Sequence, residues 1–121
     1  MPEAPRRRPE KHAVVRGLRE HVRARPSAVF AAVDARLRPA ESGRSLYRAD
    51  PAAFFIIVQG VWWYRGEYRI VPDETGSHLE YTIVNVAQHA RQLSEFKVRR
   101  ALTSAPTAFA ALAKSLRAEL E

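Results

Sequence analysis

The side chains best suited to chemistry lie in a strand-like stretch at the centre of the chain, residues 51–88. Trp62, Tyr64 and Tyr68 alternate along one face of a predicted strand, and Tyr81 has the same parity on the next strand. Aromatic rings give a pocket its shape, and phenol hydroxyls orient a bound molecule. The same rings could simply fill the core, although each buried hydroxyl would then need a hydrogen-bond partner. The pattern leaves both interpretations open, a ligand pocket and an aromatic core.

Other polar side chains offer little catalytic chemistry. Asn85 ends the same face and His89 follows four residues later, so the two could form a hydrogen-bonding pair with His89 as acid or base. We favour the alternative, in which Asn85 satisfies backbone groups at a strand end and His89 is exposed. The four histidines are scattered, cysteine is absent, and neither a Gly-x-Ser-x-Gly elbow nor a phosphate loop occurs. The sequence therefore predicts no catalytic residue, no metal and no cofactor.

The elements that position the aromatic face are strands. Leu79, Tyr81, Ile83 and Asn85 share one parity, opposed to Glu80, Thr82, Val84 and Val86. Residues 72–77 form a turn cluster of hairpin length, so this strand is expected to pair with the preceding one. Residues 53–58 are apolar on both parities, which predicts a strand covered on both sides. A short strand is predicted over residues 45–49.

The flanking segments are expected to cover this sheet. Residues 12–24 are interpreted as a strand because they lead into the Arg25-Pro26-Ser27 junction of a short amphipathic helix that ends before Pro39. Residues 89–102 are interpreted as an irregular or partly helical connection. Thr103 or Ser104 is then predicted to cap a last helix with Pro106 in its first turn. Its apolar stripe consists of Phe109, Leu112, Leu116 and Leu120. The order predicts an α+β fold, a curved antiparallel sheet around a long C-terminal helix.

Size and charge indicate a single domain. We assign residues 12–121 to it and interpret residues 1–11, which contain Arg6, Arg7 and Arg8, as a basic tail without fixed structure. No apolar run approaches the ~20 residues that span a bilayer, and no hydrophobic region follows the basic residues, so a cytoplasmic location is expected. The formal charge of +7 could attract nucleic acid. Because no aromatic-basic recognition motif accompanies it, we favour a solvated basic exterior.

Three stretches together resemble a known family. They are HVRARPSAVFAAVD, WWYRGEYRIVPDETGSHLEYTIVNVAQ and the helix that contains Phe109 and Leu120. They resemble bacterial members of the SRPBCC superfamily, the START and Bet v 1-like helix-grip proteins that include polyketide cyclases and dehydrases. The resemblance covers most of residues 12–121. It departs from the family between Leu37 and Leu46, where the short connection leaves little room for the second small helix expected there. The sheet is accordingly expected to lack a strand or two of the family's sheet.

What the resemblance implies is an apolar cavity between the sheet and the last helix. The expected function is binding of a hydrophobic or aromatic small molecule, lipid or polyketide-like. The expected ligand-binding residues are those of the aromatic face and the helix stripe: Trp62, Tyr64, Tyr68, Tyr81, Ile83, Asn85, Phe109, Leu112 and Leu116. A cyclase or dehydrase in the same cavity is one alternative, with His89 or a tyrosine as its titrating group. A basic interaction module for RNA or a ribosome-like partner is the other.

Overall fold

The computed structural model describes residues 3–39 and 45–121, which form five strands and two helices. In chain order the elements are β1 (Ala13–Val22), α1 (Pro26–Leu37), β2 (Leu46–Asp50), β3 (Phe55–Gln59), β4 (Tyr64–Asp73), β5 (Gly76–Asn85) and α2 (Arg91–Leu120). Neither helix in these residues is both long and apolar enough to cross a bilayer. The predicted α+β class is confirmed, as an open antiparallel sheet with a long C-terminal helix.

The five strands form one sheet in the order β1-β5-β4-β3-β2, with every neighbouring pair antiparallel. The predicted hairpin is present, because Asp73 pairs with Gly76 and only two residues separate β4 from β5. Gly76 has φ +146°, and a Cβ there would lie 2.8 Å from the backbone nitrogen of Ala24. Glycine is thus required at this turn both for its backbone conformation and for the close approach of the chain that leaves β1.

Both helices pack on the same face of the sheet, which we call the inner face. The buried residues of this layer form one cluster. They are Val29, Phe30 and Val33 of α1, Phe109 and Leu116 of α2, and the strand residues Val22, Tyr47, Ile56, Tyr68, Ile70, Leu79, Tyr81 and Ile83.

The predicted strand over residues 12–24 and the helix that follows it are confirmed by β1 and α1. The expected shortness of the connection after α1 falls partly on residues 40–44, outside the described residues.

The prediction for the start of the last helix is wrong, because α2 begins at Arg91 and continues through Pro106. Its N-terminal half buries Ser94 and Val98, while Leu93 and Phe96 are 65% and 60% exposed. Because only one of these two buried residues is apolar, a search for an apolar stripe with helical periodicity does not detect this half of the helix. The hydroxyls predicted to cap the helix instead donate to carbonyls of the preceding turn, Thr103 to Arg100 and Ser104 to Ala101.

The N-terminal segment, residues 3–11, carries residues that contact the opposite, outer face of the sheet. The sequence predicts no fixed structure there, yet Ala4 is fully buried and its N–H donates to the Tyr47 carbonyl. The guanidinium of Arg65 donates to the carbonyl oxygens of Pro5 and Arg6. Arg65 is itself fully buried, so the outer face of β4 presents a cation that needs acceptors. The backbone carbonyls of the segment supply two of these acceptors, and this requirement is not visible in the composition of the tail.

Candidate functional site

Three tyrosines of β4 and β5 meet on the inner face of the sheet. Tyr68 and Tyr81 are cross-strand partners, and their rings stack at 4.4 Å with an angle of 11° between the planes. Tyr81 also lies 5.4 Å from the ring of Phe109 on α2. The hydroxyls of Tyr64 and Tyr81 form a hydrogen bond of 2.5 Å. The structure therefore brings together four of the residues predicted to bind a ligand, from three elements.

Gly66 is the residue that allows this arrangement. It lies between Tyr64 and Tyr68 on the inner face, and a Cβ there would overlap the phenol of Tyr64 and lie 3.1 Å from the ring of Tyr81. The ring of Tyr64 thus lies across the bare backbone of Gly66, which brings its hydroxyl to Tyr81. Sequence reasoning overlooked this residue. A glycine between two tyrosines of the same parity is the signal that could have identified it.

A half-open cavity of about 220 Å³ lies beside this cluster, between the sheet and the two helices. Its lining combines predicted and unpredicted residues: Leu37, Tyr68, Tyr81, Ala105, Ala108, Phe109 and Leu112. Ala105 and Ala108 are one helical turn apart on α2 and line the cavity with small methyl groups, half-buried at Ala105 and exposed at Ala108. Alanine carries no chemical signal in a sequence, so these two positions could not be recognised before the helix was placed.

Burial favours the protonated form of two tyrosines of this group, Tyr64 and Tyr68. It raises the pKa of both Tyr64 and Tyr68, and the neighbouring phenols raise the pKa of Tyr64 further. Both side chains therefore stay neutral at physiological pH. Neutral phenols can donate and accept hydrogen bonds, but they do not serve as bases.

The remaining predicted residues lie elsewhere in the core or outside it. Ile83 and Leu116 are buried within the core cluster. Asn85 is buried, with its amide nitrogen donating to the Ser94 hydroxyl and its oxygen accepting from the Ala87 N–H. His89 is exposed and is not among the residues that line the cavity. Asn85 is thus buried and bound to a backbone N–H, whereas His89 is exposed to solvent.

Trp62 does not join the aromatic face, although alternation placed it there. The strand begins at Tyr64, so the parity of β4 does not extend back to Trp62, whose indole N–H donates to the carbonyl of His89 at 3.1 Å. Its neighbour Trp63 packs against the core cluster instead, edge to face with Tyr64 at 5.5 Å. The start of a strand is the weakest part of an alternation argument, since a shift of one residue exchanges the two faces.

Two histidines that look unrelated in the sequence are cross-strand partners. His21 on β1 pairs with His78 on β5, and the Nε2 atoms lie 3.2 and 2.9 Å from the same carboxylate oxygen of Asp73. Burial opposes the charge of Asp73, but the Thr75 N–H and the two histidines hold its pKa below the usual value. Within the described ranges, no three histidine or carboxylate side chains are arranged to hold a metal ion. His21 is far from Asp73 and His78 in the sequence, so the proximity of the three side chains is visible only once the register of β1 and β5 is known.

The chemistry available in the cavity is apolar contact and neutral hydrogen bonding. In the described part of the chain, its lining consists of two phenols and hydrocarbon side chains. Comparison with protein-family models, curated protein sequences and solved structures found no match to this chain. The class of molecule that fits the cavity is therefore inferred from the volume of the cavity, from its lining residues and from the hydrogen bonds that its tyrosines can form.

Proposed function

We propose that this protein binds a small, neutral hydrophobic or aromatic molecule between the inner face of the sheet and α2. The observation that carries the proposal is the open space between the stacked rings of Tyr68 and Tyr81 and the methyl groups of Ala105 and Ala108. The space is half open to solvent, because Ala108 in its lining is exposed, so a small molecule can reach the buried rings from outside.

The volume of the cavity limits the class of ligand. At about 220 Å³ it is smaller than the roughly 300–1,000 Å³ of most small-molecule sites. A molecule of one or two rings fits this space better than a long acyl chain does. Burial of its apolar surface supplies about 25 cal/mol per Å² before ordering costs are subtracted.

The lining also limits the charge of the ligand. Among residues 3–39 and 45–121, no carboxylate, guanidinium, ammonium or imidazole group lines the cavity, so these residues offer no counter-charge to an ion inside. The phenols of Tyr68 and Tyr81 offer hydrogen bonds to a hydroxyl or carbonyl group on the ligand. We therefore favour a phenol-like or ketone-bearing ring, which is within the polyketide-like class that the family resemblance implies.

The architecture supports the same proposal. An antiparallel sheet whose inner face packs on a long C-terminal helix is what a helix-grip protein of the SRPBCC superfamily requires. We propose that this chain is a short member of that group. In it, the cavity between the sheet and α2 corresponds to the ligand cavity expected from the resemblance.

The test is calorimetric titration of the full chain with 1-naphthol, a neutral molecule of two rings. We expect a Kd on the order of 100 μM, given the modest number of atoms that such a ligand buries. Ala105→Leu should abolish binding because the larger side chain fills the cavity. Ala110→Leu is the matched control, since Ala110 is exposed on the same helix and does not line the cavity.

Two results would contradict the proposal. The first is the absence of binding of 1-naphthol, phenol and indole to the wild-type chain at millimolar concentration. The second is equal binding by the two leucine variants, which would place the ligand outside the cavity.

A further inference from the structure

The three consecutive arginines of the N-terminal segment have different environments. Arg6 forms an ion pair with Asp50, and Arg8 forms one with Glu67, each at 2.7 Å. Arg7 lies between them and, among residues 3–39 and 45–121, has no ion pair. Arg7 is thus an exposed cation without an acidic partner among the described residues, in a segment whose neighbouring arginines are both paired with carboxylates.

Arg7 lines a groove of about 330 Å³ between the N-terminal segment and the loop that joins β3 to β4. The other lining residues are Pro5, Pro9, Gln59, Gly60, Val61, Trp62, Val86 and Gln88. This groove is larger than the tyrosine cavity and lies within the roughly 300–1,000 Å³ of small-molecule sites. It is separate from that cavity, with which it shares no lining residue.

Both walls of the groove are fixed by buried or directional hydrogen bonds. On one wall, the buried Arg65 guanidinium holds the carbonyls of Pro5 and Arg6 at 2.8 and 3.0 Å, immediately before Arg7. On the other wall, the hydrogen bond to the His89 carbonyl fixes the indole of Trp62. The backbone that leads into Arg7 and the indole of Trp62 are therefore held in place before a ligand binds, which lowers the ordering cost of binding.

Two amide side chains complete the groove with one donor and one acceptor. The amide oxygen of Gln59 accepts from Arg65, which leaves its NH₂ group available. The amide nitrogen of Gln88 donates to the carbonyls of Val86 and Lys11, which leaves its oxygen available. A donor and an acceptor beside an aromatic platform match the polar edge of a nucleobase.

We propose that this groove binds a nucleotide, with the base against Trp62 and the phosphate at Arg7. Stacking on an aromatic side chain tolerates any base, because every base presents a π face. An arginine is the side chain best suited to phosphate, and the formal charge of +7 attracts polyanions to the whole surface. The nucleotide could be free or could be an unpaired residue of a single strand.

The experiment compares two adjacent arginine variants in the full chain. Adenosine monophosphate and a fluorescein-labelled oligoadenylate are titrated against wild type, Arg7→Ala and Arg6→Ala. Both substitutions remove one positive charge, so a general electrostatic attraction would be weakened equally by each. We expect Arg7→Ala to weaken binding about tenfold and Arg6→Ala less than about twofold. Trp62→Leu should weaken binding as well, whereas Trp62→Phe should retain most of it.

The two ligands distinguish the sources of the nucleotide. Binding of adenosine monophosphate as tightly as the oligoadenylate supports a free nucleotide, and binding of the oligoadenylate alone supports a single strand. Adenosine, which has no phosphate, should bind more weakly and be insensitive to Arg7→Ala. Equal losses in the two arginine variants, or no binding of either nucleotide ligand, would overturn the proposal. Neither result bears on 1-naphthol binding at the tyrosine cavity.

Discussion

Arg65 and Glu67 project from the same face of β4, and the Arg65 Nε donates to the Glu67 carboxylate at 2.7 Å. The side chain of Arg65 is fully buried and that of Glu67 is 10% exposed. Arg8 of the N-terminal segment donates two hydrogen bonds to the same carboxylate, at 3.0 and 2.7 Å. One carboxylate therefore compensates two cations and joins the segment to the sheet.

Replacing Glu67 by glutamine should destabilise the fold by about 3 kcal/mol, because it leaves a buried guanidinium without its counter-charge. Urea denaturation followed by circular dichroism measures the change. Glu80→Gln is the control, since Glu80 pairs with Arg19 at 3.7 Å on the exposed surface and its loss should cost less than about 1 kcal/mol. Equal destabilisation by the two variants would mean that the Arg65–Glu67 pair contributes no more than a surface pair.

The same carboxylate should make stability depend on pH. Burial opposes the charge of Glu67, but the hydrogen bonds and charges of Arg8 and Arg65 outweigh it and hold its pKa below the usual value. The unfolded chain takes up this proton near its ordinary pKa of about 4.3, and the folded chain only at lower pH. The stabilisation is therefore complete above about pH 4.3 and is lost as the pH falls through the folded pKa.

Unfolding free energies of wild type and Glu67→Gln, measured between about pH 6 and pH 3, test this linkage. The difference between the two proteins should shrink as the pH falls. A difference that stays constant to the lowest pH would show that the charge of Glu67 is not the source of the stabilisation.

The parts of this fold that the sequence predicted are those in which residue types follow a regular pattern along the chain. Alternation from Tyr64 to Asn85 predicted β4, β5 and their hairpin, because the aromatic and aliphatic residues of the inner face recur with a period of two. The N-terminal half of α2 was missed because it packs through Ser94 and Val98 rather than through Leu93 and Phe96. In the candidate site, tyrosines and Phe109 were predictable, whereas the alanines that create the cavity were not. The docking of the N-terminal segment depends on Arg65, whose burial no local pattern reveals.

Gly66→Ala should disturb the tyrosine cluster. The added methyl group overlaps the Tyr64 phenol, so the ring must move away from Tyr81 at a cost of about 1–3 kcal/mol. Gly17→Ala on β1 is the control, because a Cβ there meets nothing within 4 Å. Urea denaturation and the near-ultraviolet circular dichroism of the tyrosines provide two readouts. Similar effects of both substitutions would indicate that backbone freedom, rather than the ring, determines the result.

Ala90→Gly should stabilise the protein. Ala90 precedes α2 with φ 52° and ψ 47°, a left-handed conformation that costs a residue with a Cβ about 1–2 kcal/mol. After the greater entropy of glycine in the unfolded chain is subtracted, a gain of about 0.5–1 kcal/mol is expected. The opposite sign is expected for Ala110→Gly, an exposed position inside α2, where glycine should cost about 1 kcal/mol. A loss of stability at both positions would contradict the left-handed conformation of Ala90.

The hydroxyl pair of Tyr64 and Tyr81 should be energetically coupled. Tyr64→Phe or Tyr81→Phe alone removes one partner of the 2.5 Å hydrogen bond and leaves the other hydroxyl with one partner fewer in a buried site, at a cost of about 1–2 kcal/mol. The double variant removes both hydroxyls, so its cost should be smaller than the sum of the single costs by about 1 kcal/mol. Urea denaturation of the four proteins gives this coupling energy. Additive costs would show that each hydroxyl has an equally good partner elsewhere, and that the cluster does not act as one hydrogen-bonded unit beside the cavity.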